Sequence, residues 1–256
     1  MDSVLQIFGL SIPLYGIFYF SGIFIAVLAA VLLAKKEIFR YDIVYSAVYT
    51  AISGVIGAKL LFLLVSWKQI IALQLPLMLL LKGGFVFYGG LFGGFAGLWI
   101  YCRQFHLPFW TFADLYAAVL PLGHAIGRIG CHFAGCCYGI PYDGAFSVTY
   151  HSTLGNTPLE TPLLPVQLIE SFCLFLLSVS LSLFYHNKKL SSKKGQISGL
   201  YSLSYAMVRI LLECLRGDRV RGMFLGISTS QWISFALLFL GVFLLFRKAK
   251  AQTSFS

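Results

Sequence analysis

The sequence predicts an all-α polytopic membrane protein of about seven transmembrane helices with an active-site loop on the outer side. Hydrophobic residues make up 59% of the 256 residues and charged residues 11%, and the mean hydropathy is +0.84. A soluble domain is roughly half apolar and about a quarter charged. Apolar runs of the roughly 20 residues needed to cross a hydrocarbon core follow one another with short connections. Lysines and arginines fall between these runs in short clusters, so the formal net charge of +10 reads as a topology signal, and nucleic acid is not an expected partner.

The first run, 12–34, follows Met1-Asp2-Ser3. That start lacks the basic segment of a cleavable signal peptide, and the run is too long for a signal core, so it is expected to stay as a span. Lys35, Lys36 and Arg40 separate it from a second run at 43–66, and a third at 85–102 closes on Arg103. A fourth, 110–126, leads into the longest polar stretch, Gly127 to Glu160, which is rich in Gly, Tyr, Pro and Thr. A loop of that length in a compact membrane protein is more often functional than accidental. A fifth run at 163–185 ends before Lys188, Lys189, Lys193 and Lys194. The sixth is 197–215, and the seventh, 230–246, is followed by Arg247, Lys248 and Lys250. No repeat and no low-complexity segment divides the chain, so one integral-membrane domain over 1–256 is expected.

Because the basic clusters fall in alternate segments, the positive-inside rule puts the N-terminus outside and the C-terminus in the cytoplasm. Segments 67–84, 127–162 and 216–229 are then outer. Arg128, Arg209, Arg216, Arg219 and Arg221 lie at or near outer helix ends, where that rule disfavours them, so they call for another explanation. Arg209 and Glu213 are one turn apart and share a helix face within the membrane. Ionisable groups at such depth pair with each other or face a polar cavity. A structural ion pair locking two helices explains them equally well when they are taken alone.

Chemistry concentrates in Gly123-His124-Ala125-Ile126-Gly127-Arg128-Ile129-Gly130 and the following Cys131-His132-Phe133-Ala134-Gly135-Cys136-Cys137-Tyr138-Gly139. Glycines allow tight turns and close backbone approach, exposing amides beside a guanidinium. Arginine offers bidentate hydrogen bonds and keeps its charge in an apolar setting, so the pattern suits a phosphate. Cys102, Cys173 and Cys214 are scattered through apolar runs as small hydrophobes. Cys131, Cys136 and Cys137 cluster, but their spacing is not a CxxC pattern and no second CxxC completes a zinc site, so no metal is expected. A disulfide or structural thiol, a reactive or acyl-accepting thiolate, and a redox-sensitive site remain open for the trio.

The thirteen-residue stretch Gly127 to Gly139 resembles the signature of the bacterial prolipoprotein diacylglyceryl transferase family. Tyr15-Gly16, Gly57-Ala58-Lys59, Gly89-Gly90-Leu91, Asp114, Pro121-Leu122-Gly123, Pro165 with Gln167 and Glu170, the series Tyr205, Arg209, Glu213, Arg216, and Gln231 follow in the family's order. The resemblance covers nearly the full chain. It implies a seven-helix enzyme of the bacterial inner membrane. The diacylglyceryl group of phosphatidylglycerol would pass to the lipobox cysteine thiol of an exported, signal-peptide-bearing prolipoprotein, releasing glycerol phosphate, with no cofactor.

On this reading Arg128 and Arg209 stabilise the phosphate leaving group, Glu213 orients Arg209, and His124 or His132 accepts the thiol proton. Tyr15, Tyr88, Gly89, Gly90, Gly127, Gly130, Gly139, Gln167, Tyr205 and Arg216 are the candidate substrate-binding residues, and Cys131, Cys136 and Cys137 the candidate thiol site. The chain departs from the family where Asn, Asn and Glu are usual, having Cys131, Ala134 and Cys136. It also has Tyr88 for the usual His, and Leu164 and Val166 for the usual His and Ser. A paralogue with another acceptor or donor headgroup is therefore the rival enzyme, and a small transporter or membrane thiol sensor the rival outside enzymes. Intramembrane polar groups lying nearly all in the outer half disfavour a path through both leaflets.

Overall fold

A computed structural model describes residues 4–7, 10–35, 38–72, 84–187, 193–218, 223–224 and 226–247. Lys36, Lys188, Lys189, Arg219, Arg221, Lys248, Lys250 and residues 73–83 of the expected outer segment lie outside the described residues. Seven helices are described: α1 Leu14–Leu33, α2 Arg40–Ala72, α3 Phe87–Gln104, α4 Phe109–Ala134, α5 Val166–His186, α6 Gln196–Glu213 and α7 Thr229–Phe246. Among the described residues four segments are long and apolar enough to cross a membrane: Leu14–Leu33, Arg40–Lys68, Val166–His186 and Thr229–Phe246. Glycines in α3 and ionisable groups in α4 and α6 lower the hydropathy of the other three.

The chain divides into two compact units, one of Met1–Leu33 with Ala113–Ser256, the other Ala34–Phe112. In the first, α1 lies against α4 where Gly22 and Gly123 face each other; a Cβ built on Gly22 would stand 2.7 Å from the Gly123 carbonyl oxygen. Such small-residue contacts let helix backbones approach where lipid offers no hydrophobic drive to pack. Serines tie α5 to α4: Ser171 Oγ donates to the Ala125 carbonyl and Ser178 Oγ to the Ala118 carbonyl, each at 2.8 Å. The second of these lies near Pro121, which sits inside α4 and cannot donate to a carbonyl one turn back. At the start of α6 the buried Asp114 carboxylate accepts from Gly195 N at 2.7 Å, Ser198 N at 2.9 Å and Ser198 Oγ at 2.8 Å. An anion at a helix N-terminus satisfies donors that the helix leaves over.

In the second unit α2 and α3 meet along a glycine seam. Cβ atoms on Gly57 and Gly89 would each collide with the other's carbonyl oxygen, and one on Gly93 with that of Ser53. Tyr101 Oη donates to Asp42 Oδ1 at 2.8 Å, keeping that buried carboxylate partnered. Lys59 reaches the Gly84 carbonyl at 3.5 Å and lies over the Phe85 ring.

The outer surfaces of the helices are apolar: Leu32 is 76% exposed, Phe239 78% and Phe246 82%. Surface of this kind is stable against lipid and not against water.

The structure departs from the sequence expectation in two places. The chain is mostly helical, but β1 (Val4–Ile7) pairs antiparallel with β2 (Leu10–Pro13), and β3 (Met223–Phe224) with β4 (Ile227–Ser228). Ile12 and Pro13, assigned to the first span, belong to β2; proline at the last strand position ends the ladder that it cannot donate to. Secondly, α4 does not stop near residue 126 but runs to Ala134, so Gly127, Arg128, Gly130, Cys131 and His132 are helical. The amides of Gly127 and Gly130 therefore serve the helix ladder and are not presented to a ligand.

Candidate active site

Four helices bring the ionisable residues together. Pro165 occupies the N-cap position of α5, which puts Gln167 and Glu170, three residues apart, on one face of its first turns. Both are 1% exposed. Glu170 Oε1 pairs with Arg128 Nη2 of α4 at 2.9 Å, and its Oε2 lies 3.7 Å from Arg209 Nη1 of α6. One turn on, Glu213 Oε2 pairs with Arg209 Nη2 at 2.8 Å. Ser230 Oγ, in the first turn of α7, accepts from Arg209 Nε at 2.9 Å. Bringing charges into such a setting is costly unless they are paired, and here each guanidinium has a carboxylate.

The pairing is incomplete. Arg128 Nε and Arg209 Nη1 are buried nitrogens with no hydrogen-bond partner among the described residues. Buried donors are almost always satisfied, so one guanidinium N–H without a hydrogen bond and a second held only by a 3.7 Å ion pair suit an anionic ligand.

The remaining candidate residues of the first unit take several places on its helices and loop. Tyr205 lies one turn before Arg209, its ring 5.7 Å from those of His124 and Tyr201. His132 is buried, with Nδ1 3.0 Å from Tyr150 Oη, while that hydroxyl donates to the His132 carbonyl at 3.0 Å. With the hydroxyl proton used, Nδ1–H is the donor and Nε2 keeps a lone pair. Burial pushes the Tyr150 phenol up to about 12, so it stays protonated.

Gln167 Nε2 donates to the Cys136 carbonyl at 2.8 Å and thus positions the loop. Arg216 is buried and forked onto Asp218 through Nε at 2.8 Å and Nη2 at 2.6 Å. Its segment is joined to the loop by the Gly139–Arg216 bridge. A Cβ on Gly139 would collide with the Leu164 carbonyl, and one on Gly130 would come 2.9 Å from Phe18 Cβ of α1, so both glycines are needed for close approach. Gly127 has open space where a side chain would go. Tyr15, at the start of α1, is 42% exposed and stacks on Tyr19 at 6.1 Å. Tyr88, Gly89 and Gly90 are on α3 in the second unit, where Gly89 belongs to the seam with α2 and a Cβ on Gly90 would contact Ala58 Cβ at 3.6 Å.

The sulfur atoms of Cys131, Cys136 and Cys137 lie within 4.8 Å of one another. All are thiols. Hydrogen bonding to Cys131 and Cys137, together with burial, holds the Cys136 thiol well above its usual range.

In the sequence Glu170 stands out only as part of a motif, yet it is the carboxylate shared by both arginines. An acid inside an apolar run was the available signal. Ser230, Tyr150 and Asp218 carried no comparable signal.

The profile of the family described as prolipoprotein diacylglyceryl transferase matches residues 2–247. A phosphatidylglycerol–prolipoprotein diacylglyceryl transferase of Clostridium tetani is 35% identical over 239 residues, covering 93% of this chain and 94% of its own. A second such transferase, from Clostridium perfringens, is 34% identical over 242 residues, with 93% and 92% covered. One from Dehalococcoides mccartyi is 33% identical over 217 residues, with 83% and 80% covered. With the signature stretch, the paired arginines and this whole-length similarity together, the chain belongs to the prolipoprotein diacylglyceryl transferase family.

Proposed function

We propose that this chain transfers the diacylglyceryl group of phosphatidylglycerol to the lipobox cysteine thiol of an exported prolipoprotein and releases glycerol phosphate. The observation that carries the reading is the pair of under-satisfied guanidinium nitrogens in a buried cluster, Arg128 Nε without a hydrogen-bond partner among the described residues and Arg209 Nη1 held only by its 3.7 Å contact with Glu170. In the reaction a sulfur–carbon bond forms at the glyceryl carbon and the carbon–oxygen bond to phosphate breaks. The phosphate takes the electron pair, and the thiol proton passes to a base. Fixed guanidinium groups in a dry site stabilise the developing phosphate charge without reorganising at the moment of reaction.

Glu170 and Glu213 orient the arginines, and Tyr205 and Tyr15 line the headgroup. His132, with Nε2 left unprotonated by its bond to Tyr150, is the first candidate base and His124 the second. Gln167, Gly130, Gly139 and Arg216 set the loop and helix around the cluster, with Gly127 leaving room beside it. Tyr88, Gly89 and Gly90 are assigned to substrate by family resemblance alone. The chain acts as one domain over 1–256 with seven spans in the bacterial inner membrane. Its N-terminus and the loop after α4 face outward, and its C-terminus faces the cytoplasm, as the alternate basic clusters require.

The test is incubation of the purified protein with labelled phosphatidylglycerol and a lipobox peptide. Lipidated peptide together with released glycerol phosphate is expected. Lipid consumption without lipidated peptide would keep the donor and overturn the acceptor. For orientation, a Phe146→Cys probe, on a side chain 79% exposed, is expected to react with an impermeant thiol reagent from outside, above the background of the parent protein. Labelling only after the membrane is permeabilised would reverse the topology.

A further inference from the structure

The proposed transfer leaves the three clustered thiols without a task, and their geometry is that of a ligand set. Cys131 is on the last turns of α4, and the chain then leaves the helix through two left-handed residues, Gly135 at φ 63° and Cys137 at φ 59°. A positive φ at a residue other than glycine is an uncommon conformation that the surroundings must hold. The hold is visible. Thr153 Oγ1 donates to the Ala134 carbonyl at 2.8 Å, Gly155 N to the same carbonyl at 2.9 Å, and Thr157 Oγ1 to the Gly135 carbonyl. Gln167 fixes the Cys136 carbonyl from α5. The turn folds the vicinal pair back onto Cys131, leaving all three sulfurs within 4.8 Å of one another. Arg216 is within hydrogen-bonding reach of Cys137.

We propose that Cys131, Cys136 and Cys137 form a three-thiolate binding site for a thiophilic, closed-shell metal ion, with Cu(I) as the best-fitting occupant. Three metal–sulfur bonds of about 2.3 Å in a plane put the sulfurs about 4 Å apart, so the observed arrangement needs a contraction of under about 1 Å. Among the described residues the cluster offers these three sulfurs and no fourth histidine, cysteine or carboxylate ligand. Three soft donors without a fourth suit Cu(I) better than structural zinc, which takes four. The metal displaces the thiol protons on binding, so no oxidant or reductant is consumed and affinity falls at low pH. Cys131 follows Arg128 by one turn of α4, so occupancy puts a metal–thiolate centre beside the arginine cluster.

The experiment is anaerobic titration of the detergent-purified full chain with Cu(I), read by competition with a chromophoric Cu(I) chelator after a thiol count has verified full reduction. One ion per chain is expected. Cys131→Ser, Cys136→Ser and Cys137→Ser should each weaken it at least tenfold, while the combined Cys102→Ser, Cys173→Ser, Cys214→Ser variant binds as the parent does. Size-exclusion profiles identify variants that fail to fold. For those, the parent protein serves instead: Cu(I) should protect residues 131, 136 and 137 from alkylation, read by peptide mass spectrometry, and leave residues 102, 173 and 214 reactive. Absence of binding by the reduced protein, binding indifferent to the three single serine variants, or protection of the scattered thiols in place of the trio would each overturn the site.

Discussion

The seam between α2 and α3 and the cluster where α4, α5, α6 and α7 converge solve the same problem in opposite ways. At the seam Gly57, Gly89 and Gly93 remove side chains so that backbones touch, and no charge is involved. At the cluster, Arg128, Arg209, Glu170 and Glu213 are buried together and satisfy one another only in part. The first arrangement is complete in itself. The second is costly to maintain and leaves donors over, which a purely structural contact would not do. The difference separates glycines kept for packing from polar residues kept for chemistry.

The largest effect expected is at Glu170. Glu170→Gln removes the partner of two arginines, and breaking a buried pair costs about 3–5 kcal/mol. A strong fall in the denaturation midpoint and in membrane abundance is expected, and unchanged stability would mean that the arginines are not held by this carboxylate. Next come Arg128→Lys and Arg209→Lys, which keep charge but lose the planar fork. Each should lower turnover roughly a hundredfold, about 3 kcal/mol of barrier, in protein of normal abundance. Near-parental turnover in both would remove phosphate clamping and erase the contrast with the seam.

Gly57→Ala probes the other side of the comparison. Its Cβ would meet the Gly89 backbone, which cannot swing aside as a side chain can, so a loss of about 1–3 kcal/mol in thermal or denaturant stability is expected. A neutral result would show the seam to be looser than drawn.

The smallest effect belongs to Tyr150→Phe, about 1 kcal/mol for one hydrogen bond. Because the folded phenol is raised to about 12, its contribution is full below the ordinary tyrosine value near pH 10 and is lost as pH rises toward about 12. Parent and variant stability curves should therefore differ by a constant amount below pH 10, and above it the parent should lose its advantage and then fall below the variant, since a raise of about two pKa units outweighs about 1 kcal/mol.

Parts of this arrangement were legible in the sequence. Arg209 and Glu213 stand one turn apart, and a helix puts them on one face whatever else happens. Arg128 and Glu170 are on different helices, and only the packing of α4 on α5 through Ser171 and Ser178 makes them partners. The extension of α4 to Ala134 was hidden because Gly127, Gly130 and Gly135 look like loop residues. The tertiary contact of Gly130 with Phe18 explains that glycine better than local propensity does, whereas nothing crowds the open space at Gly127. The convergence of Cys131 with Cys136 and Cys137 depends on a left-handed turn that linear spacing does not express. The last two residues of β2, Ile12 and Pro13, read as part of the first apolar run because they adjoin it without a polar break.

Glu170 has one more consequence. Under the proposed role for the arginines, its carboxylate already offsets much of their charge, so an arriving phosphate meets the under-satisfied donors of two oriented guanidinium groups instead of an empty positive well. Dilute free phosphate in the surrounding water is then a poor competitor. A phosphate carried on acyl chains is concentrated in the plane of the membrane and held near the site by its tails, so its effective concentration is far higher. Once the chains have left with the acceptor, the detached glycerol phosphate loses that advantage, and beside the Glu170 carboxylate it is held too weakly to stay, emptying the site without a separate gate.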